Sequence, residues 1–94
     1  MAAYIVGQIT IRDRKGYRPY AEKFMPILNQ YEGELLGFDD NVEVLEGEWT
    51  KRIVLARFAS REKALAWYHS PEYAELIKIR QAVADSNIIL LKSV

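Results

Sequence analysis

The sequence predicts an α+β domain in which four strands form one antiparallel sheet and helical segments cover one of its faces. Three observations support this prediction. The 94 residues are enough for one domain and too few for two. Half of the residues are apolar and 28% are charged, which is typical of a globular chain. Segments of strand-like composition also alternate with segments whose apolar residues recur every three or four positions.

The chain begins with one strand and one helix. Residues 4–12 (YIVGQITIR) are rich in β-branched and aromatic types and contain no proline, which predicts a strand. Asp13 follows as a turn or capping residue. From Tyr17 onward the apolar positions recur at helical spacing, so a helix is expected to extend to a stop at Gly33.

The middle of the chain predicts further strands. Residues 34–36 and 42–46 are two short strand pieces on either side of the turn-rich residues 37–41. Residues 47–50 (GEWT) are expected to form a hairpin connection. They lead into a strong strand at residues 52–58 (RIVLARF).

Two helix starts and a last strand complete the chain. Ser60 is a favourable N-cap for a short helix. Ser70 and Pro71 form a second start signal, because serine caps well and proline suits the first helical position. That second helix is expected to end near Ala84, and residues 87–92 (NIILLK) to form the final strand.

The predicted order is therefore β-α-β-β-α-β, with the second helical stretch broken in two. Right-handed crossovers then favour a ferredoxin-like domain over residues 1–94, with a four-stranded antiparallel sheet and all helices on one face. No internal repeat or linker divides the chain.

Apolar side chains occupy both faces of the predicted strands. Val54 and Ala56 oppose Ile53 and Leu55, and Leu90 opposes Leu91. Because the helices cover one face only, we expect a second copy of the chain to cover the other and form a homodimer. The alternative is a single domain whose long tyrosine, arginine and lysine side chains shield that face.

Composition excludes several function classes. The chain has no cysteine and one histidine, so thiol nucleophiles and disulfides are ruled out and no metal site is expected. Thirteen basic residues balance thirteen acidic ones, which disfavours nucleic-acid binding. No apolar run is long enough to span a membrane and no signal peptide is recognisable, so a soluble cytoplasmic protein is expected.

Two motifs resemble a known family. They are residues 43–49 (EVLEGEW) followed by 52–55 (RIVL), and residues 67–73 (WYHSPEY) with Arg80 behind them. Nearly the whole chain resembles the domain-of-unknown-function family 1330 of the dimeric α+β barrel superfamily. The resemblance implies a ferredoxin-like subunit whose sheet packs on that of its partner to form a dimeric α/β barrel.

The chain departs from that family between residues 33 and 42. It carries Phe38, Asp39 and Asp40 in a region where the family has an arginine and paired glycines. Any ligand role of that arginine therefore does not carry over. The wider superfamily includes cofactor-free monooxygenases, haem-degrading enzymes, muconolactone isomerase-like proteins and stress-response barrels, so the resemblance implies no single activity.

Arg80 is the most informative candidate site residue. It lies within the apolar stripe of the last helix, at helical spacing from Leu76 and Ala84. A guanidinium buried there must have an acceptor. Arg80 could bind a ligand carboxylate or phosphate in a bidentate fork, or it could pair with Glu46 or another internal carboxylate.

His69 and Glu46 are the candidate catalytic residues. His69 lies at the junction of two helical segments and is the one side chain that titrates near neutrality, so it could act as a general base. Glu46 could orient His69 or pair with Arg80. The alternative is that both are solvated side chains without a catalytic role.

Six aromatic residues could form the wall of an apolar ligand pocket between helices and sheet. At helical spacing Tyr20 and Phe24 are most simply explained as core, and Trp49 as a dimer contact. They are Tyr20, Phe24, Trp49, Trp67, Tyr68 and Tyr73.

Two function classes follow. The first is a site that binds a small acidic or aromatic (quinone-like) molecule. By analogy with the superfamily, such a site could belong to an oxygenase- or isomerase-like enzyme that works without a cofactor. The second is a non-catalytic dimerising or ligand-sensing module in which Arg80 is purely structural. An RNA-binding sheet is disfavoured by the balanced charge and the aliphatic residues on both faces.

Overall fold

The computed structural model describes residues 1–94 and confirms the predicted ferredoxin-like order, with an open sheet that does not close into a barrel within one chain. The strands lie in the order β2-β3-β1-β4, and all neighbours are antiparallel. The elements are β1 (Ala3–Ile11), α1 (Arg14–Gln30), β2 (Glu34–Asp39), β3 (Arg52–Phe58), α2 (Arg61–Tyr68), α3 (Pro71–Val83) and β4 (Ala84–Lys92).

Capping side chains determine where the helices begin. The side chains of Asp13, Ser60 and Ser70 each accept a hydrogen bond from the backbone N–H three residues further on, as capping residues do. The buried Ser70 hydroxyl also donates to the carbonyl of Trp67 over 2.8 Å. The Ser70 side chain is therefore hydrogen-bonded to the end of α2 and to the start of α3, and it stabilises the break between the two helices.

The segment between β2 and β3 differs from the prediction. Residues 40–51 form no strand, so the predicted strand at 42–46 and the hairpin at 47–50 are wrong. The physical reason is that β2 extends to Asp39 and pairs with β3 as far as Ile53. This pairing occupies the edge of β3, so residues 42–46 have no strand to pair with. The one backbone hydrogen bond that crosses this segment joins the N–H of Val42 to the carbonyl of Lys51.

Two helix boundaries also differ. Helix α1 begins at Arg14, before the predicted start at Tyr17, because Asp13 supplies the cap. Helix α3 ends at Val83 and passes directly into β4, which starts at Ala84 and not at residue 87. The pairing of β4 with β1 begins at the Ile11–Ala84 pair, so residues 84–86 belong to the sheet.

A β-bulge changes the direction of one side chain in β2. The register with β3 shifts between Leu35 and Gly37, so Leu35 lies opposite Ala56 and Phe38 lies opposite Val54. In a regular strand, residues three apart point to opposite faces. The bulge therefore places Phe38 on the same, helix-facing side of the sheet as Leu35.

Both faces of the sheet are apolar, as the strand patterns predict. The helix-facing side buries Ile5, Ile9 and Phe58 in the core beneath the helices. On the outer side, Leu55, Val6 and Ile89 lie side by side across three strands, and Ile89 is 56% exposed. None of the helices is both long and apolar enough to cross a membrane.

Candidate functional site

An apolar pocket lies between the helix-facing side of the sheet and α1. Its cavity volume is about 230 Å³, it opens to solvent, and fourteen of its sixteen lining residues are hydrophobic. Two small residues, Gly7 and Ala56, line it from the two central strands. A Cβ atom on Gly7 would approach the Ile88 side chain to 3.1 Å, so the glycine keeps this part of the pocket open.

Four of the six aromatic residues predicted to form the wall line this pocket, namely Tyr20, Phe24, Trp67 and Tyr73. Trp67 and Tyr73 pack closely, with ring centroids 4.1 Å apart. Tyr68 packs against both of them without lining the pocket. Trp49 is 52% exposed in the 40–51 segment and does not line the pocket.

Arg80 lies behind this wall and is hydrogen-bonded through tyrosines. Its side chain is buried, and Nη1 donates to the Tyr73 hydroxyl over 3.0 Å. The hydroxyl oxygens of Tyr73 and Tyr20 are 2.6 Å apart, and the guanidinium carbon lies 5.7 Å from the centroid of the Tyr20 ring. The alternative pairing of Arg80 with Glu46 is not formed. The buried cation is therefore stabilised by phenolic oxygens and a ring face instead of a carboxylate.

The pocket tyrosines are protonated at neutral pH. Burial raises the pKa of Tyr73 and of Tyr20, and burial followed by the neighbouring Tyr20 raises the pKa of Tyr17. All three pKa values therefore lie above the ordinary value of 10.0. Neither a carboxylate nor a histidine lines the pocket. The tyrosine hydroxyls are therefore neutral groups that can both donate and accept hydrogen bonds.

His69 and Glu46 lie outside the pocket. His69 is exposed between α2 and α3, where its ring makes an edge contact with Tyr68 at a centroid distance of 5.4 Å. Glu46 is exposed in the 40–51 segment. The structure thus does not bring these two side chains to the pocket with the tyrosines, and their catalytic role stays a prediction.

Arg52 is a pocket residue that the sequence reasoning missed. It is the one charged residue among the pocket's lining, and its guanidinium carbon lies 4.5 Å from the Phe38 ring centroid and 5.1 Å from that of Tyr17. Nη1 of Arg52 forms an ion pair with Asp40. A signal was present, because Arg52 alternates in step with Val54 and Ala56 and must share their helix-facing side.

Buried donors without a partner concentrate around the pocket. The buried side-chain polar atoms that lack a hydrogen bond include Nε of Arg52, Nε1 of Trp67 and Nε of Arg80; the fourth is Oγ of Ser86. Arg52 and Trp67 line the pocket, and Arg80 contacts its tyrosines. Unpaired buried donors are uncommon and destabilising in native proteins. These nitrogen atoms are themselves shielded from solvent, so a ligand in the open cavity would not reach them, and Arg52 is the one charged residue whose side chain it would meet.

A family model described as "Domain of unknown function (DUF1330)" matches residues 2–94. No curated protein matches the chain. Among solved structures, a protein of unknown function from Rhodopseudomonas palustris is similar over 99% of this chain and 82% of its own, with 20% identity and a TM-score of 0.80.

Two further structures extend the comparison. A dimeric ferredoxin-like protein of unknown function from Jannaschia sp. CCS1 is 10% identical, with a TM-score of 0.78 over 99% of this chain and 100% of its own. SnoaB, a cofactor-independent oxygenase from Streptomyces nogalater, is 8% identical, with a TM-score of 0.71 over 99% of this chain and 93% of its own. At these identities the likeness establishes the fold alone.

The hydrogen bonding of Arg80 leads to a stability prediction. We expect Tyr73→Phe to lower the free energy of unfolding by about 1–3 kcal/mol, because it removes an acceptor from a buried cation. Arg80→Met should change it by less than about 1 kcal/mol, because replacing a buried charge by an apolar side chain of similar length is often neutral. Urea unfolding of the two single variants and the double variant measures both effects.

The double variant is the control for this interpretation. If the cost of Tyr73→Phe arises from the unpaired guanidinium, that cost should shrink when Arg80 is already methionine. A larger loss in Arg80→Met than in Tyr73→Phe, or fully additive losses, would contradict the interpretation.

Proposed function

This chain belongs to the family described as domain of unknown function 1330, and we propose that it binds a small aromatic molecule with acceptor groups in the pocket between its sheet and α1. The observation that carries the proposal is an apolar cavity that opens to solvent and has one charged residue, Arg52, in its lining. Ligand pockets in proteins typically have this composition, mostly apolar with a few placed polar groups.

The size and shape of the cavity support an aromatic ligand of two fused rings. A dry apolar cavity of roughly 150 Å³ accommodates benzene. The pocket, at about 230 Å³, therefore has room for a molecule about one and a half times as large. The tilted rings of Tyr20, Phe24 and Trp67 offer stacking and edge contacts to such a molecule.

A second candidate function is oxygenation without an organic cofactor, the activity named for the Streptomyces nogalater neighbour. One observation favours it. Arg52 lines the pocket, where its guanidinium can stabilise an enolate or phenolate. O₂ then oxidises this anion: one oxygen atom replaces a ring hydrogen to give a quinone, and the other leaves as water. Because no base lines the pocket, the substrate would have to be a phenol or enol acidic enough to ionise in water.

We also propose that two copies of the chain pair through the outer face of the sheet. The apolar row formed by Leu55, Val6 and Ile89 needs cover, and the Jannaschia neighbour is dimeric. In a symmetric pair the same row would meet itself. This pairing would leave the ligand pocket on the opposite, helix-facing side of each sheet.

The binding proposal predicts thermal stabilisation by bicyclic aromatic probes. We expect 2-naphthoate or 2-naphthamide to raise the Tm of the protein in a concentration-dependent way, because binding to the folded state alone stabilises it. Ala21→Trp should abolish the shift, because Ala21 is an exposed pocket-lining residue whose enlargement fills the opening. Ala66→Trp is the matched control on the exposed side of α2 and should keep the shift. No shift with either probe, or equal shifts in both variants, would overturn the proposal.

The oxygenase candidate predicts O₂ consumption. With 1-naphthol, we expect O₂ uptake and formation of 1,4-naphthoquinone above the protein-free rate, and a loss of at least about tenfold in Arg52→Met, which removes the positive charge from the pocket lining. Lys78→Met is the control, because Lys78 is an exposed cation that pairs with Glu75 on α3, away from the pocket. An uptake rate equal to the protein-free rate eliminates this candidate and leaves ligand binding untouched.

The pairing proposal predicts a solution mass of twice 10.9 kDa by light scattering at micromolar concentration. Ile89→Lys should shift the mass towards the monomer, because it places a charge at the β4 end of the apolar row, on a half-exposed side chain outside the core. Ala66→Lys introduces the same lysine on an exposed helix position and should leave the mass unchanged. A monomeric wild-type protein would contradict the pairing.

A further inference from the structure

Arg52 lies where two hollows of the surface adjoin. On one side is the apolar pocket, of which Arg52 is the one charged lining residue. On the other is a polar hollow of about 190 Å³, which Arg52 lines together with Arg14, Lys51 and Asp40. Ile9 is the other residue shared by both hollows. A molecule with an apolar body and a polar end could therefore span the boundary at Arg52.

The guanidinium of Arg52 is held in place by aromatic rings. It lies between Phe38 and Tyr17, at 4.5 and 5.1 Å from the ring centroids, and its side chain is only 16% exposed. Cation–π contacts of this kind restrict the plane of the guanidinium. Of its five N–H donors, one on Nη1 is used by Asp40, and Nε is buried without a partner. Because Nε is also shielded from solvent, the donors available to a ligand are the remaining ones on Nη1 and Nη2, which the rings hold in a fixed orientation.

The charges around this boundary favour an anion. Arg14, Lys51 and Arg52 line the polar hollow, against one carboxylate, that of Asp40. Neither Arg14 nor Lys51 forms an ion pair in the structure. The Asp40 side chain is half exposed, so it is a carboxylate at the edge of the site that a ligand carboxylate can supplement or displace.

We infer that Arg52 anchors the carboxylate of an aromatic acid whose rings lie in the apolar pocket, and that Asp40 competes with this carboxylate for the guanidinium. The inference rests on the proposed binding function and adds to it the ligand class and the residue that selects it. A planar guanidinium binds a carboxylate through two parallel hydrogen bonds, which a neutral amide cannot match in charge. The anion-binding role expected of Arg80 is thereby assigned to Arg52, and Arg80 acts through the tyrosines.

The test compares two probes of nearly equal shape, 2-naphthoate and the neutral 2-naphthamide, by isothermal titration calorimetry. Wild-type protein should bind the carboxylate at least about tenfold more tightly than the amide, as expected for a charge-assisted pair. Arg52→Met should remove this preference while the amide affinity changes less than about threefold. Arg52→Lys keeps the positive charge but cannot form two parallel hydrogen bonds to a carboxylate. Its preference for naphthoate over naphthamide should therefore lie between those of wild-type protein and Arg52→Met.

Two further variants complete the design. Asp40→Asn should strengthen naphthoate binding several-fold and leave naphthamide unchanged, because it removes the competing carboxylate. Lys78→Met removes an exposed positive charge on α3 and should leave both affinities unchanged. Circular dichroism of each variant verifies the fold, and the Asp40→Asn gain does not depend on Arg52→Met being folded.

The outcomes separate the inference from the function on which it rests. A carboxylate preference that persists in Arg52→Met, or an equal affinity of wild-type protein for both probes, overturns the inference and leaves the binding function standing. If wild-type protein binds neither probe, the proposed function fails and the inference fails with it.

Discussion

One physical constraint shapes the helix layer, namely that a buried cation must have acceptors. Arg80 cannot be deprotonated, so its guanidinium must find acceptors inside the core. The chain supplies no carboxylate there and uses the Tyr73 hydroxyl, which is itself joined to Tyr20. This requirement connects α3 to α1 across the core. The same tyrosines form part of the pocket wall, so the residues that accommodate the buried cation also shape the cavity.

Two arginines with aromatic neighbours therefore have different tasks. Arg80 is inaccessible and acts on the pocket only through Tyr73 and Tyr20, whereas Arg52 lines the pocket directly and faces a hollow with excess positive charge. From the sequence, Arg80 was the stronger candidate for binding an anion, because a charged residue in an apolar helical stripe is unusual. An arginine at the start of a strand is common, and its stacking partner Phe38 reaches it only because a bulge redirects β2.

The comparison of sequence and structure shows which features are locally encoded. Caps such as Ser60 and Ser70 depend on neighbouring residues, so the helix starts were predictable. The failure at residues 42–46 has a tertiary cause, since strand-like composition cannot form a strand once β2 has taken the edge of β3. The same holds for the site. Tyr20, Phe24, Trp67 and Tyr73 were predictable from their apolar faces, whereas Arg52 required the bulge and the ladder register.

The pocket is also the place where the chain forgoes stability. Gly7 costs conformational entropy in the middle of a central strand, and a side chain there would narrow the cavity against Ile88. Buried donors of Arg52 and Trp67 remain unpaired in the same region. A domain of this size has little stability to spare, so three separate concessions around one cavity are difficult to explain by folding alone. A ligand whose rings fill the cavity would restore packing contacts to the walls beside Gly7. The separation of this pocket from the outer face of the sheet further means that dimer formation would not by itself satisfy these groups.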